Sequence, residues 1–230
     1  MSTELDLIVM DQKLERGLAV QVDELVIAGW TGRNQEAMER HIGELEILGV
    51  PRPRSTPLFY RVGAKLLTTD SQIEVASSHT SGEVETVLFA TEDELWVGVG
   101  SDHTDRRAET FEVTIAKQAC PKPVAGGLWR YSDVVPHWDE LVLRAFAWIE
   151  GTRVLYQEGA VSALRPPLEL MQMYTHGEDR LSPGTAMFCG TVAVRENVLP
   201  ATQFELMLED PVLGRELHHQ YLVHSLPVAD

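Results

Sequence analysis

The sequence predicts a β-rich α+β fold with few, short helices. Three observations carry this. Segments of strand length, apolar or alternating, follow one another along most of the chain. Only one long stretch has helical periodicity. No strand–helix alternation of the doubly wound kind runs through it.

In order, Leu5 to Met10 and Glu24 to Ala28 read as strands. Arg33 to Leu48 reads as a helix, because Met38, His41, Ile42, Leu45 and Leu48 recur at spacings of three and four and share one face. Gly49 is its expected stop and Pro51 follows. Pro51 to Pro57 is an extended connector. Strands are then expected at Leu58 to Arg61, Lys65 to Thr68, Glu83 to Phe89 and Glu94 to Gly100, with a short helix at Thr104 to Thr110. Further strands are expected at Leu141 to Ile149, Arg153 to Gln157, Ala186 to Cys189, Phe204 to Leu208 and Leu217 to Val223. Glu150-Gly151-Thr152 is the turn of a hairpin between two of them. Pro167 to Tyr174 reads as a short helix opened by proline in its first turn.

The chain has 230 residues, 44% of them hydrophobic, enough for one large domain with a sizeable core. A net charge of −16 argues against nucleic acid and against anionic membranes as partners. No apolar run reaches membrane-spanning length, and the N-terminus lacks the basic start and cleavage site of a secretory signal. Cys120 and Cys189 lie far apart without a CxxC, so reduced thiols in a cytoplasm are the expectation.

One run of residues carries chemistry. Glu83 and Glu85 stand at strand spacing and present two carboxylates on one face. Asp102 follows the Gly-punctuated apolar segment Val97 to Gly100, where a strand ends close to the core. Three converging carboxylates suit a hard divalent cation. The bland alternative is a solvated strand face and a turn aspartate. His41 and Glu44 form an HxxE on the predicted helix, where a carboxylate orients an imidazole as a general base. By spacing alone, a histidine at the rim of an amphipathic helix is the commoner outcome. Lys117 sits in an apolar stretch before a turn, Cys120-Pro121-Lys122-Pro123, so it either snorkels or has an anionic partner. Asp105 and Arg106 read as ion-pair members, with Arg106 also suited to a substrate carboxylate. Gly190-Thr191 ends an apolar strand and offers an N–H and a hydroxyl to an oxyanion, or else simply a turn. His218, His219 and His224 read as ordinary strand residues.

Taken in order, these residues resemble the fumarylacetoacetate hydrolase superfamily from about Val26 to Leu208. Glu83 and Glu85 match its ExE metal pair, Asp102 in GSDHTDR its third metal aspartate, and Lys117 in AKQACP its catalytic lysine. Val26 to Gly29 leading to His41 and Glu44 is similar to its apolar strand and HxxE. Pro57 to Arg61 resembles its Pro-x-Phe segment. Gln157-Glu158-Gly159, the Pro-led helix at Pro167 and Pro183-Gly184 to Gly190-Thr191 resemble its later motifs. The family's Asn-Tyr before the histidine is replaced by Trp30-Thr31-Gly32-Arg33, and Val192-Ala193-Val194 follows Thr191 in place of a Gly-rich tail. The resemblance is therefore to a divergent bacterial branch.

The resemblance implies a single catalytic domain over 1–230, with 1–25 as an N-terminal strand region, folded as a mixed β-sandwich roll. It implies a cation, Mg²⁺ first and Mn²⁺ or Ca²⁺ as alternatives, on Glu83, Glu85 and Asp102. His41, Glu44 and Lys117 would be catalytic; Arg61, Arg106, Gly190 and Thr191 would bind substrate. The implied activity is metal-dependent hydrolysis of a carbon–carbon bond in a 1,3-dicarbonyl or 2-oxo acid. The alternatives are a decarboxylase, hydratase or dehydratase on the same site, and a non-catalytic binding protein on the same fold. The implied partners are a small carboxylate substrate and a second copy of the chain.

Overall fold

A computed structural model describes residues 1–11, 15–47, 52–195 and 201–227, without the side chains of 41 and 45. The expected helix stop at Gly49 and Pro51, Leu48, and the facing of His41 and Leu45 lie outside the described residues.

The hairpin β1 (Thr3–Met10) and β2 (Glu15–Val22) precedes β3 (Glu24–Gly29). Helix α1 (Gln35–Ile47) starts where the Asn34 side chain accepts the Ala37 N–H at 3.0 Å, an N-cap, and it buries Ile42. Next come β4 (Leu58–Val62), β5 (Leu67–Thr68), β6 (Gln72–Val75), β7 (Thr80–Ser81), β8 (Val84–Ala90) and β9 (Leu95–Ser101). After β10 (Thr104–Asp105) stand α2 (Arg106–Glu109) and α3 (Val113–Gln118). They are followed by β11 (Lys122–Pro123), β12 (Gly127–Arg130), α4 (Tyr131–Val134), β13 (Val142–Ile149) and β14 (Thr152–Ala160). Helix α5 (Pro167–Thr175), β15 (Thr185–Thr191), β16 (Gln203–Asp210) and β17 (Arg215–Ser225) complete the order.

Eight strands form the main sheet in the order β2-β1-β12-β9-β8-β15-β3-β4, and five form a second, β14-β13-β16-β17-β6. The fold is thus the β-rich α+β roll that the sequence predicts. One core lies between the sheets, where Val84, Leu88, Val97, Val99 and Met187 pack with Leu143, Phe204, Leu206 and Leu208. The other collects the opposite face of the main sheet, which curls on itself around Leu7, Leu25, Ile27, Val87, Phe89 and Phe188. Burial on both faces makes β8 and β15 near-continuously apolar, whereas β13 and β16 alternate, with one face toward solvent. Each fully buried Leu or Phe here contributes about 1.5–3 kcal/mol.

Lys65 to Thr68, expected as a strand, is a 3-10 turn over Ala64–Leu66 followed by the two-residue β5. The expected helix at Thr104 to Thr110 shrinks to α2, because Thr104 and Asp105 pair with β7. Glu150 and Gly151 form the β13–β14 turn with φ of 50° and 79°, left-handed values that a tight hairpin requires. Among the described residues, no helix is long and apolar enough to cross a membrane.

Candidate metal centre

The site lies at the open end of the β8–β9 hairpin. Successive β8 side chains alternate, so Glu85 shares a face with Val87 and Phe89 of the curled core. Asp102 N–H donates to Glu83 O at 3.0 Å, which extends the ladder one pair past Val84–Ser101. Oxygen atoms of Glu83, Glu85 and Asp102 thereby come within 4.8 Å of one another. Glycine is needed at Gly100, opposite Glu85: a Cβ there would meet Val124 at 2.8 Å and Phe188 and the Pro123 carbonyl at 2.9 Å.

The three carboxylates differ in support. Glu83 is paired with Arg106 at 3.0 Å and lies 4.0 Å from Lys117 Nζ. Glu85, 2% exposed, accepts the Gly190 N–H at 2.6 Å. Burial, then the Asp102 and Glu83 carboxylates, push its pKa well above the usual value, against Lys117 and that N–H. Asp102 is fully buried, with Lys117 hydrogen-bonded to Oδ2 and Lys122 Nζ 3.1 Å from Oδ1. Burial alone would raise its pKa, but the two ammonium groups bring it down to about 2. Burial lowers the pKa of Lys117, but Asp102 and Glu83 lift it above the ordinary lysine value, so Lys117 stays an ammonium.

An all-carboxylate donor set fits a hard divalent cation. Glu85 makes the case strongest: it is buried beside two other carboxylates, and a cation is what would let it ionise there.

Lys117 stands on α3, whose first turn is capped by Glu112 accepting the Thr114 N–H at 3.2 Å. Its Nζ lies 5.5 Å from the ring centroid of Tyr60, the neighbour of Arg61 on β4. Arg61 itself turns to Glu24 at 2.9 Å and the Tyr174 hydroxyl at 3.2 Å, because adjacent strand residues point to opposite faces. Asp105 corrects an expectation: among the described residues it joins no ion pair and instead caps α2, accepting the Arg107 and Ala108 N–H groups at 2.9 Å each. Arg106 is committed to Glu83, to Glu109 at 3.0 Å and to Ser81 Oγ at 2.6 Å.

The expected oxyanion donors are also spent on the protein. The Gly190 N–H holds Glu85, and the Thr191 hydroxyl donates to Val84 O at 2.8 Å. Gly190 sits in a bulge with φ of 96°, where a Cβ would lie 1.8 Å from Thr31 Oγ1. Helix α1 carries His41, whose side chain lies outside the described residues, and Glu44, which is exposed. Val84, between the two glutamates, is clamped by Gln157: its Oε1 accepts the Val84 N–H at 3.0 Å and its Nε2 donates to Thr191 Oγ1 at 2.8 Å. Sequence reasoning named Gln157 only as part of a motif and read Lys122 as part of a turn. A lone amide in an apolar strand and a lysine between two prolines were the available signals.

The family model described as a protein of unknown function (DUF2848) matches residues 28–221. No curated protein matches the chain. Solved structures share the fold. Yeast ynq8, a fumarylacetoacetate hydrolase family protein, is 13% identical with a TM-score of 0.65, over 90% of this chain and 95% of that one. A 5-carboxymethyl-2-hydroxymuconate delta-isomerase from Mycobacterium smegmatis is 15% identical, with a TM-score of 0.61 over 90% and 80%. A 2-keto-3-deoxyarabinonate dehydratase is 14% identical, with a TM-score of 0.62 over 90% and 75%.

Proposed function

We propose that this chain, which belongs to the DUF2848 family and has the fumarylacetoacetate hydrolase fold, is a divalent-cation-dependent enzyme that hydrolyses a carbon–carbon bond in an acylpyruvate-like 1,3-dicarbonyl or 2-oxo acid. The observation that carries the reading is the convergence of Glu83, Glu85 and Asp102 beside the buried Lys117. Glu83, Glu85 and Asp102 would hold the cation, Mg²⁺ first and Mn²⁺ or Ca²⁺ as alternatives, which would supply Lewis-acid chemistry.

The chain's own residues do the rest. Gly190 and Gln157 hold the Glu83–Glu85 segment in place, and Arg106 fixes Glu83. Lys117 provides a positive charge for a developing enolate or a substrate carboxylate. Arg106 reaches that carboxylate only by sharing Glu83, whereas Arg61, turned to Glu24 on the other face of β4, has to reorient to reach it. In this reading His41, oriented by Glu44, takes a proton from water. The hydroxide adds to the far carbonyl carbon, the carbon–carbon bond breaks, and its electron pair leaves on the enolate, which takes up the proton that His41 holds. The reading carries with it a homodimer working in the cytoplasm.

A second reading keeps the site without water activation. The dehydratase and the isomerase among the solved structures of this fold support a 2-oxo acid lyase or isomerase. The test is metal content, then Mg²⁺- or Mn²⁺-dependent turnover of acylpyruvates, oxaloacetate and 2-oxo-3-deoxy acids. Turnover of one substrate, absent in Glu83→Ala/Glu85→Ala, supports an enzyme. Loss of that turnover in His41→Ala with cation binding intact supports hydrolysis; retention supports the second reading. Neither metal nor turnover leaves a non-catalytic binding protein.

A further inference from the structure

Lys122 has no part in the reaction above, yet it is as enclosed as Asp102. Its side chain is 0% exposed. Its Nζ lies 3.1 Å from Asp102 Oδ1 and 2.5 Å from the carbonyl oxygens of both His103 and Lys117. Three acceptors around one nitrogen call for three N–H bonds. A neutral amine has two and a lone pair, so the ammonium is the form that fits; burial, with Lys117, lowers its pKa, and Asp102 and the two carbonyls are what hold the proton against that. The backbone beneath it is fixed as well, since β11 pairs in parallel with β5 between two prolines.

The two lysines on Asp102 therefore differ. Among the described residues, Lys117 Nζ has one hydrogen bond, to Asp102, and its remaining side faces Glu83 and the Tyr60 ring. Lys122 is tied to two backbone carbonyls and one carboxylate oxygen, and a rotation of its side chain would strand all three. A cation approaching Asp102 can displace the first lysine but always meets the charge of the second.

We infer that Lys122 is a built-in competitor for the cation, a fixed positive charge on Asp102 that keeps divalent-cation binding weak and exchangeable. The inference rests on the metal reading of the site. It separates Lys122 from a purely structural lysine by sign. Lys122→Met leaves the His103 and Lys117 carbonyls unbonded, so the fold loses stability. It also removes a unit charge from beside a ligand, so the cation binds more tightly. A structural lysine would lower both quantities.

The experiment is a Mn²⁺ titration of the full chain, followed by electron paramagnetic resonance, with thermal unfolding of the same samples. Lys122→Met is expected to melt at a lower temperature and to bind Mn²⁺ about tenfold or more tightly than the parent protein. Lys65→Met, at an exposed lysine, is expected to leave binding unchanged. Unchanged or weaker binding in folded Lys122→Met overturns the inference and leaves the metal site standing. Binding by neither protein at millimolar Mn²⁺ removes the metal reading and this inference together. If Lys122→Met does not fold, Lys122→Gln, which keeps two donors for the carbonyls without the charge, is read the same way. Failure of both to fold assigns Lys122 to the fold alone and overturns the inference.

Discussion

The β8–β9 hairpin carries charges at both ends, and the two ends are built differently. At the closed end, Glu94 pairs with Arg130 at 2.8 Å, with side chains 27% and 39% exposed. At the open end, Asp102 and Lys122 are 0% exposed and Lys117 is nearly so. Water screens the first pair and makes each partner dispensable. The second set has no water to fall back on, so each charge requires its neighbours. The hydrogen-bond pattern of one ladder is compatible with either arrangement; burial is what turns acidic residues into a site.

Breaking the buried end should cost most. Asp102→Ala leaves two enclosed lysines without their carboxylate, a change worth about 3–5 kcal/mol by analogy with broken buried pairs. Its denaturant midpoint should fall sharply and its Mn²⁺ binding should vanish. A variant as stable as the parent would mean that Asp102 does not hold those lysines.

Gly190→Ala comes next. The left-handed backbone and the clash with Thr31 should cost about 1–3 kcal/mol, and displacement of the Glu85 donor should weaken Mn²⁺ binding in a calorimetric titration.

Glu85 sharpens the contrast through pH. Its pKa is raised above the usual 4.5 by burial and by neighbouring carboxylates, so the folded chain keeps this proton longer than the unfolded one. In chelator, its contribution is fullest below the unfolded value and declines as pH rises beyond it. Urea midpoints of the cation-free protein should therefore show a loss with rising pH that Glu85→Gln removes. Added Mn²⁺ should restore the parent's stability at the higher pH but not that of the variant.

The smallest effect belongs to the closed end. Glu94→Gln should change stability by less than about 1 kcal/mol in thermal melts, because the pair is solvent-screened. A larger loss there would erase the distinction between the ends.

The strand-rich class, helix α1, the Pro-led α5 and the hairpin turn at Glu150-Gly151 were legible in the sequence, because periodicity, proline and positive-φ turn chemistry are local. Strand β2 escaped it, since its first half, Glu15-Arg16-Gly17, carries no apolar alternation. Strand β12 escaped because Gly127–Arg130 is too short to show a period and exists by pairing with β1 and β9. At the site, the ExE spacing placed Glu83 and Glu85 together, and the glycines before Asp102 marked a close approach of backbone. That Asp102 lies under two lysines, that Gly190 and Thr191 serve the protein rather than a free oxyanion hole, and that Arg61 turns away were decided by tertiary structure alone. The contacts of Asp102 with Lys117 and of Glu85 with Gly190 join residues 15 and 105 positions apart, and the pairing of β15 with β8 and the seating of α3 and β11 bring such partners within hydrogen-bond reach.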